Sequence, residues 1–211
     1  PIKYEYDVQV YSAPIDDDSE VRLTPGAGEE LLIDDSDLFN CLIIKRDLIS
    51  ETEHAKTLHD ILEQIQVRFF DYNHSLLDSP QKVLDLLAFI HENSDAFFAE
   101  WPDTDKLKFR GDMSQCEMHI RVVSNMNWFQ IEGNLQIGEK NVSLQHVVDR
   151  YLSSMTPTYI SIGEDEYVRI SKQLERLLRL LTKTSTQVPK YLIGILSDSL
   201  QELNVITDDT Y

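Results

Sequence analysis

The amino-acid sequence predicts an α+β fold in which antiparallel sheets are flanked by amphipathic helices. Two periodicities support this class. Apolar and polar residues alternate in short segments near the start and through much of the second half, and apolar residues three and four apart mark helices between those segments. The apolar content of 42% is typical of a folded globular protein. A chain of 211 residues can enclose one large core or two small ones.

Charge is distributed unevenly along the chain. Residues 1–100 contain 7 basic and 22 acidic side chains, whereas residues 101–211 contain 12 and 15, so the two net charges are −15 and −3. The total of −18 repels phosphate backbones at long range. The chain as a whole is therefore a poor candidate for non-specific nucleic-acid binding, although local basic surface can still contribute.

Two packed subdomains are expected to meet near residue 95. The first is an acidic N-terminal α/β subdomain of residues 1–95, and the second spans residues 96–185. A C-terminal helix, residues 186–211, is expected to follow. We also expect the chain to be part of a longer protein, because it begins without a methionine and stops just after a helical pattern.

The first half is expected to begin with a half-buried strand. From Ile2 to Val10 the apolar residues occupy every second position, which places them on one face of an extended chain. A short buried run, Leu42 to Ile44, predicts a further strand. Apolar residues then recur at i, i+3, i+4, i+7 and i+11 from Leu58 to Phe69, the pattern of an amphipathic helix.

A second helix is expected to start at Ser79 and Pro80. Serine is a favoured N-cap, and proline is tolerated at the first helical position because its missing N–H would have no partner there. The expected buried face consists of Val83, Leu86, Leu87 and Ile90, broadened by Leu84 and Phe89. Three aromatic residues then form an expected core anchor, with a ligand cage as the alternative: Phe97, Phe98 and Trp101.

From Lys106 onward the pattern has a period of two. Three alternating segments predict consecutive strands of one antiparallel sheet: Lys106 to Phe109, Met118 to Val122 and Trp128 to Glu132. The expected turns are Gly111-Asp112 and Gly138-Glu139. Ser143 is expected to cap a helix whose buried residues are Leu144, Val147, Val148, Tyr151 and Leu152. A hairpin is expected from Tyr159 to Ile162 and from Tyr167 to Ile170.

A leucine-rich helix follows this hairpin. Its apolar face is expected to contain Leu174, Leu177, Leu178 and Leu181. Four basic residues lie within roughly 60° of one another on the opposite face, at 100° per residue: Lys172, Arg176, Arg179 and Lys183. Two interpretations stay open. The face is either solvated or a patch that pairs with the acidic first half, or it is a docking surface for phosphate or a partner. Pro189 is expected to start a last helix containing Leu192, Leu196, Leu200 and Leu203.

The sequence contains no motif that identifies an enzyme. A phosphate-binding loop needs the pattern GxxxxGK[ST], and the nearest segment, Gly133 to Asn141, has a glutamate before its lysine and Asn141 in place of the hydroxyl residue. We interpret this segment as a hairpin turn. The motifs HExxH, GxSxG and GxGxxG are absent, as is any zinc-type cysteine–histidine spacing. No catalytic residue, metal ligand or cofactor is therefore assigned.

The cysteine usage favours a reducing compartment. Cys41 and Cys116 are far apart and do not form a CxxC pair. Neither a signal peptide nor an apolar run of about 18 residues occurs in the sequence. A cytoplasmic protein without a membrane partner is the expectation.

The segment from Trp128 to Ile170, together with the leucine-rich helix, resembles a known family. It contains an aromatic pair at the start of an alternating strand, a V-x-L helix start and a Y-[IV]-x-[IL]-G strand. The residues that carry this signature are Trp128, Phe129, Gly133, Val142, Leu144, Tyr159 and Gly163. In this respect the chain resembles the helicase-associated region that precedes the ATPase motor in bacterial Swi/Snf-type helicases of superfamily two. The resemblance covers about residues 97–204, and residues 1–96 are similar only in outline.

The resemblance implies a non-catalytic accessory or regulatory domain of an ATP-dependent DNA helicase or translocase. Its signature is structural, so it transfers no catalytic residue. ATP and Mg²⁺ are expected only in a downstream motor, and the motor domains of the same chain are the implied partner. DNA is a further candidate partner through the basic helix face. After Gly163 the chain has Glu-Asp-Glu where relatives often have a second glycine, which affects the turn type alone.

A function of another class stays open beside this one. The chain would then be a stand-alone acidic interaction module that occupies a basic partner, in the manner of a DNA mimic. A third alternative is a hydrolase that uses carboxylates. The sequence offers no means of choosing its acid and base among 37 acidic residues.

Overall fold

The computed structural model describes most of the chain. It covers residues 5–14, 21–37, 40–101, 107–113, 117–137, 139–154, 158–201, 203 and 205–207, with the backbone alone for residues 34–37, 40–42, 117 and 205–207. Helices and mainly antiparallel sheets alternate along these residues, so the predicted α+β class is confirmed.

The described helices are α1 (Leu48–Gln64), α2 (Pro80–Glu92), α3 (Leu144–Ser153), α4 (Lys172–Thr184) and α5 (Ile193–Gln201), with a 3₁₀ turn at Lys190–Leu192. The first described strands are β1 (Tyr6–Gln9), β2 (Leu31–Asp37), β3 (Asn40–Lys45), β4 (Arg68–Phe69), β5 (His74–Leu77), β6 (Lys108–Asp112) and β7 (Glu117–Ser124). The later ones are β8 (Trp128–Ile137), β9 (Lys140–Ser143), β10 (Tyr159–Ser161), β11 (Glu166–Arg169), β12 (Gln187–Pro189) and β13 (Val205–Thr207).

The chain groups into two compact units. Unit 1 consists of Pro1–Phe89 and Asn93–Phe97, and unit 2 consists of Ile90–Glu92 and Phe98–Tyr211. The last turn of α2 thus belongs to unit 2. The three-part division expected from the sequence is finer than this grouping and stays a prediction.

Unit 1 contains a three-stranded antiparallel sheet in the order β1-β5-β4 and a separate hairpin, β2-β3. The expected first strand is confirmed over Tyr6–Gln9, while its start at Ile2 lies outside the described residues. The predicted start of α2 at Ser79 and Pro80 is also found, because the Lys82 amide donates a hydrogen bond to Ser79 Oγ at 3.4 Å. The buried apolar residues of this unit come from α1, β5 and α2: Ala55, Leu62, Leu77, Val83, Leu84, Leu86 and Ala88.

Helix α1 lies further toward the N-terminus than its apolar pattern predicts. Asp47 caps it by accepting a hydrogen bond from the Ser50 amide at 3.1 Å, and the helix ends at Gln64. Gln66 has a φ of 57°, which no right-handed helix accommodates, so Phe69 lies in β4 instead of the helix. The first turns of α1 are mostly polar, and the apolar spacing therefore could not reveal them.

Three burial predictions for the segments from β3 to Phe98 are wrong in part. The run around β3 does form a strand, but Ile43 is 66% exposed because no described element packs on its side of the β2-β3 hairpin. On α2, Leu84 is fully buried, whereas Leu87 and Ile90 are only half-buried. The aromatic anchor is incomplete as well, since the side chain of Phe98 is 49% exposed.

Unit 2 is built on a five-stranded sheet. The order is β12-β8-β7-β13, and β9 pairs with the far end of β8. Alternate residues of β7 and β8 are buried, and helices α3 and α4 pack against strands of this sheet. The core shared by these elements includes Met118, Ile120, Ile131, Leu135, Val147, Leu174, Leu178 and Val188. The expected β8-β9 hairpin is confirmed by the pairing of Ile137 with Lys140, and Gly138 between them lies outside the described residues.

A second sheet in unit 2 has the order β10-β11-β6. The predicted hairpin is confirmed by the antiparallel pairing of β10 and β11. The predicted sheet of three consecutive strands is wrong for β6, which pairs in parallel with β11 instead of with β7. Gly111 is therefore not in a turn. It lies within β6 with a φ of 107°, next to a register shift between Tyr167 and Arg169 of the partner strand.

Two helices of unit 2 differ from expectation. Ser143 caps α3 as predicted, with the His146 amide donating to its Oγ at 3.2 Å, but Leu152 is 65% exposed instead of buried. The last helix does not start at Pro189, which lies in β12. A 3₁₀ turn intervenes, α5 begins at Ile193, and Leu203 lies beyond its end.

Candidate functional site

The basic helix face predicted from the sequence lies on α4. The helix is capped at its start by Ser171, whose Oγ accepts a hydrogen bond from the Leu174 amide at 3.2 Å. At its end, Ser185 adopts the left-handed conformation with a φ of 49°, and its amide donates to the Leu181 carbonyl. Both helix ends are therefore set by local hydrogen bonds.

The leucine face of α4 is completely buried. Its four leucines have no exposed surface: Leu174, Leu177, Leu178 and Leu181. They pack into the unit 2 core, where α4 contacts α3, α5 and β12. Burying a leucine side chain stabilises a fold by about 1.5–3 kcal/mol, so these residues hold the rotation of α4 about its axis.

The opposite face of α4, the basic face, is exposed. Its four members are Lys172, Arg176, Arg179 and Lys183. Because burial of the leucines fixes the rotation of the helix, all four side chains leave it on the same side. The sequence-derived geometry of this face is therefore reproduced in the folded chain.

Arg179 is the most constrained of the four basic residues. It donates to Glu175 Oε1 from Nη2 at 2.6 Å and from Nε at 3.1 Å. Its hydrogen bond with Tyr151 of α3, and then the one with Glu175, raise the pKa of the guanidinium above its ordinary value. Arg179 is thus already engaged within the unit, and it is the poorest probe of external binding.

The two lysines at the ends of the basic face differ from Arg179. Within the part of the chain that the structure describes, no ion pair or hydrogen bond involves the ammonium group of Lys172 or Lys183. Arg176 does have an intramolecular interaction. The lysines consequently hold the charge that is available to a ligand.

Two ion clusters hold the strand that leads into α4. The buried carboxylate of Glu166 accepts hydrogen bonds from Arg110 Nη2 at 2.7 Å and from Lys140. Hydrogen bonds first from Lys140 and then from Arg110 lower the pKa of Glu166 from 4.5 to about 2. Sequence patterns do not reveal this cluster, because Lys140 and Arg110 lie 26 and 56 positions from Glu166 and no local spacing connects them.

The second cluster is centred on Arg169, which lies in β11 three residues closer to α4 than Glu166. Arg169 donates from Nε to Asp112 Oδ1 at 2.5 Å and from Nη2 to Oδ2 at 2.7 Å, and it also pairs with Glu92. Its hydrogen bonds with Asp112 chiefly raise the pKa of the guanidinium. Since Arg169 is two residues before the N-cap of α4, the cluster fastens the entry to the helix to β6.

The signature residues have structural positions. Val142, Leu144 and Tyr159 are buried, Phe129 is half-buried, and Trp128 is 37% exposed. A Cβ on Gly133 would lie 2.3 Å from the His119 carbonyl oxygen, so close packing of β7 and β8 requires glycine. At Gly163, a Cβ would lie 3.4 Å from both Glu166 Oε2 and Lys140 Nζ. Val142, Leu144, Tyr159 and Gly133 thus have packing roles, whereas Trp128 is partly exposed.

The described residues do not bring together three or more histidine, cysteine or acidic side chains that could hold a metal ion. The segment that partly resembles a phosphate-binding loop forms the β8-β9 hairpin, so it offers no strand-to-helix loop for a nucleotide. Among these residues, no helix combines the length and the apolar character needed to cross a bilayer. The four exposed cations of the basic face create a local positive potential that attracts anions.

Comparison with known proteins gave no match, whether with protein-family models, with curated proteins or with solved structures.

Proposed function

We propose that this chain is a non-catalytic accessory or regulatory domain of a cytoplasmic, ATP-dependent DNA helicase or translocase of the Swi/Snf type. The basic face of α4 would contact the DNA backbone beside a motor formed by the same protein. The observation that carries this proposal is an exposed row of four cations on a helix whose other face is completely buried, in a chain of net charge −18. ATP and Mg²⁺ would bind in the motor.

The length of the basic face suits a phosphate backbone. Lys172 and Lys183 are eleven residues apart, which corresponds to about 16 Å along the helix axis at 1.5 Å per residue. Phosphates follow one another at about 3.4 Å per strand along a duplex, so the face spans about five of them. Lysine and arginine side chains supply such phosphate contacts without selecting a base sequence.

The position of Lys172 also favours a binding role. It occupies the first position of α4, where the helix dipole disfavours a cation by about 0.3–1 kcal/mol. Helix stability therefore does not explain this lysine. Lys183 lies in the last turn, where the dipole favours it, so helix stability alone could account for that residue.

The test is a titration of a labelled DNA duplex with the chain at several salt concentrations, followed by fluorescence anisotropy. Substituting Lys172→Gln and Lys183→Gln together should weaken binding and reduce the slope of log K against log salt by about 1.8, since each phosphate contact contributes about 0.9. The matched control is Lys56→Gln with Lys108→Gln, which removes the same charge from exposed sites outside α4. An equal loss in both double variants would reject the assignment to the basic face.

The non-catalytic part of the proposal has its own measurement. The chain alone should release no phosphate from ATP above background in the presence of Mg²⁺ and DNA. Steady turnover that persists through purification, and that is lost on substitution within this chain, would contradict it.

A further inference from the structure

The hairpin β2-β3 presents an apolar surface that no described element covers. Leu31 is 56% exposed, Ile33 is 69% exposed and Ile43 is 66% exposed. Ile33 lies directly opposite Ile43 in the register, and Leu31 is two residues along the same strand. These three residues therefore share one side of the hairpin, together with the exposed Lys45, which lies directly opposite Leu31. The three apolar residues are here called the apolar hairpin face.

The other side of the hairpin differs in burial. Leu32 and Ile44 are paired with each other and are both half-buried. The alternation is that of a strand pair with one side against its own unit and one side free. A two-stranded hairpin is at best marginally stable alone, and a packing partner on the apolar face would stabilise it.

The base of the hairpin is firmly anchored. Arg46 follows β3 and its side chain is only 1% exposed. It donates to Glu51 at 2.5 and 2.9 Å, to the Thr24 carbonyl at 3.2 Å and to the Ala27 carbonyl at 2.8 Å. The Arg46 amide also donates to the Glu30 carbonyl at 2.7 Å, across the start of β2. The apolar hairpin face thus extends from a fixed support.

The sequence around the hairpin is rich in acidic residues. Residues 29–53 contain eight acidic and two basic side chains, a net charge of −6, and one of the two basic residues is the buried Arg46. Glu29 and Glu30, which directly precede β2, are both exposed, as is Asp47 after β3. A partner that covers the face must therefore tolerate or neutralise several carboxylates.

We infer that the apolar hairpin face is a docking surface for a basic amphipathic helix of a partner protein. The helix would place an apolar stripe on Leu31, Ile33 and Ile43 and direct its lysine or arginine side chains toward the flanking carboxylates. A strand added to the edge of the hairpin would leave the apolar side chains uncovered, whereas a helix laid on the face covers them. A second copy of this chain would bring the same net charge of −6 to the contact and be repelled. The surface lies in unit 1, whereas the basic face of α4 belongs to unit 2.

The probe for the experiment is a synthetic amphipathic helical peptide of about 18 residues, with leucines on one face and lysines on the other. A second peptide keeps the leucines and has glutamate in place of each lysine. Binding of either labelled peptide to the full chain is measured by fluorescence anisotropy. The lysine peptide should bind with a Kd below about 100 µM and the glutamate peptide at least tenfold more weakly.

Two kinds of variant locate the site. Ile43→Thr, which keeps the β-branched side chain, should weaken lysine-peptide binding about tenfold, whereas Ile195→Thr, at an isoleucine 55% exposed on α5, should leave it unchanged. Glu29→Gln with Glu30→Gln should weaken binding at low salt and make it less sensitive to salt. Glu29 and Glu30 precede β2 and are exposed, so this pair decides the question if Ile43→Thr impairs folding by circular dichroism.

Three results would overturn the inference. They are equal binding of the two peptides, binding that neither kind of variant changes, and absence of lysine-peptide binding at about 100 µM. A concentration-dependent dimer in sedimentation, lost in Ile43→Thr, would assign the face to a second copy instead. Loss of DNA binding through the α4 lysines would leave the peptide results unchanged, so the two proposals fail separately.

Discussion

Glu166 accepts a hydrogen bond from Arg110 at 2.7 Å, although the two residues are 56 positions apart in the chain. They lie on the neighbouring parallel strands β11 and β6, and Lys140 of β9 donates to the other carboxylate oxygen. The Glu166 side chain is 11% exposed, while its two partners are about half exposed. One carboxylate therefore connects both sheets of unit 2 near the entry to α4.

The substitution Glu166→Gln should lower the free energy of unfolding at neutral pH. The native pKa of about 2 is below the ordinary value of 4.5, so the ionised carboxylate stabilises the fold above pH 4.5, and this stabilisation is lost as the pH falls toward 2. The difference between the original chain and the variant should therefore shrink across that range. Urea unfolding at about pH 7, 4 and 3 measures it. A difference that stays constant with pH would contradict the assigned shift.

Arg46→Ala should destabilise unit 1 by about 3–5 kcal/mol, because it leaves the Glu51 carboxylate without its cationic partner and removes the donor to the Thr24 and Ala27 carbonyls. Burial alone would raise the pKa of Glu51, but hydrogen bonds from Arg46 and from the Gly26 amide lower it overall. Urea unfolding followed by circular dichroism gives the loss. The neighbouring exposed Lys45→Ala serves as the control and should change stability by no more than about 0.5 kcal/mol. Equal losses would show that the cost is not specific to the buried guanidinium.

Two glycine-to-alanine substitutions should have opposite signs. Gly133→Ala places a Cβ 2.3 Å from a backbone carbonyl oxygen and 3.1 Å from the Ile120 Cα, so a loss of about 1–3 kcal/mol is expected. Gly194→Ala, in α5, meets no atom within 4 Å and should stabilise the chain by about 0.5–1 kcal/mol. Thermal unfolding of both variants compares them. A stable Gly133→Ala would mean that β7 and β8 can separate at low cost.

Ser185→Gly should stabilise unit 2 by about 1 kcal/mol. Ser185 ends α4 in the left-handed conformation, which costs a residue with a Cβ about 1–2 kcal/mol more than it costs glycine. Replacement by glycine removes this cost, but the greater conformational freedom of glycine in the unfolded chain offsets part of the gain in stability. The control Ser197→Gly lies inside α5 and is exposed, so it should lose about 0.5–1 kcal/mol. Denaturant midpoints distinguish the two signs, and destabilisation by both substitutions would reject the capping argument.

The elements that sequence patterns predicted correctly have local causes. Helix α4 follows from Ser171, from leucines three and four apart and from the residues that end it, all within fifteen positions. Helix α2 similarly follows from Ser79 and Pro80. The helical spacing of the α4 leucines also predicts that all four members of the basic face, which lie on the opposite side of the helix, are exposed. The pairing of Arg179 with Glu175 was also accessible, since the two lie four residues apart on one helix.

Features that the patterns did not reveal depend on distant partners. Strand β6 alternates like its neighbours, but it pairs with β11, and alternation carries no information about the pairing strand. Ile43 is apolar and β-branched, and only the absence of a described element over β3 leaves it exposed. The ion clusters of Glu166 and Arg169 required knowledge of which strands meet. Tertiary structure thus determines which side chains are buried and which strands pair. Helix caps and periodicity depend on neighbouring residues, and for that reason sequence patterns predict them.

The parallel pairing of β13 with β7 also has a consequence for solubility. Val205 and Thr207 pair beside Met118 and Ile120, so β13 occupies the backbone edge that β7 would otherwise present. An uncovered edge strand is a template for pairing between molecules. A chain shortened before Val205 would expose the hydrogen-bonding groups that β7 directs toward β13 at Met118, His119 and Ile120. Among the described strands, β13 forms the outer edge of this sheet, and its three residues present a shorter edge than the eight of β7.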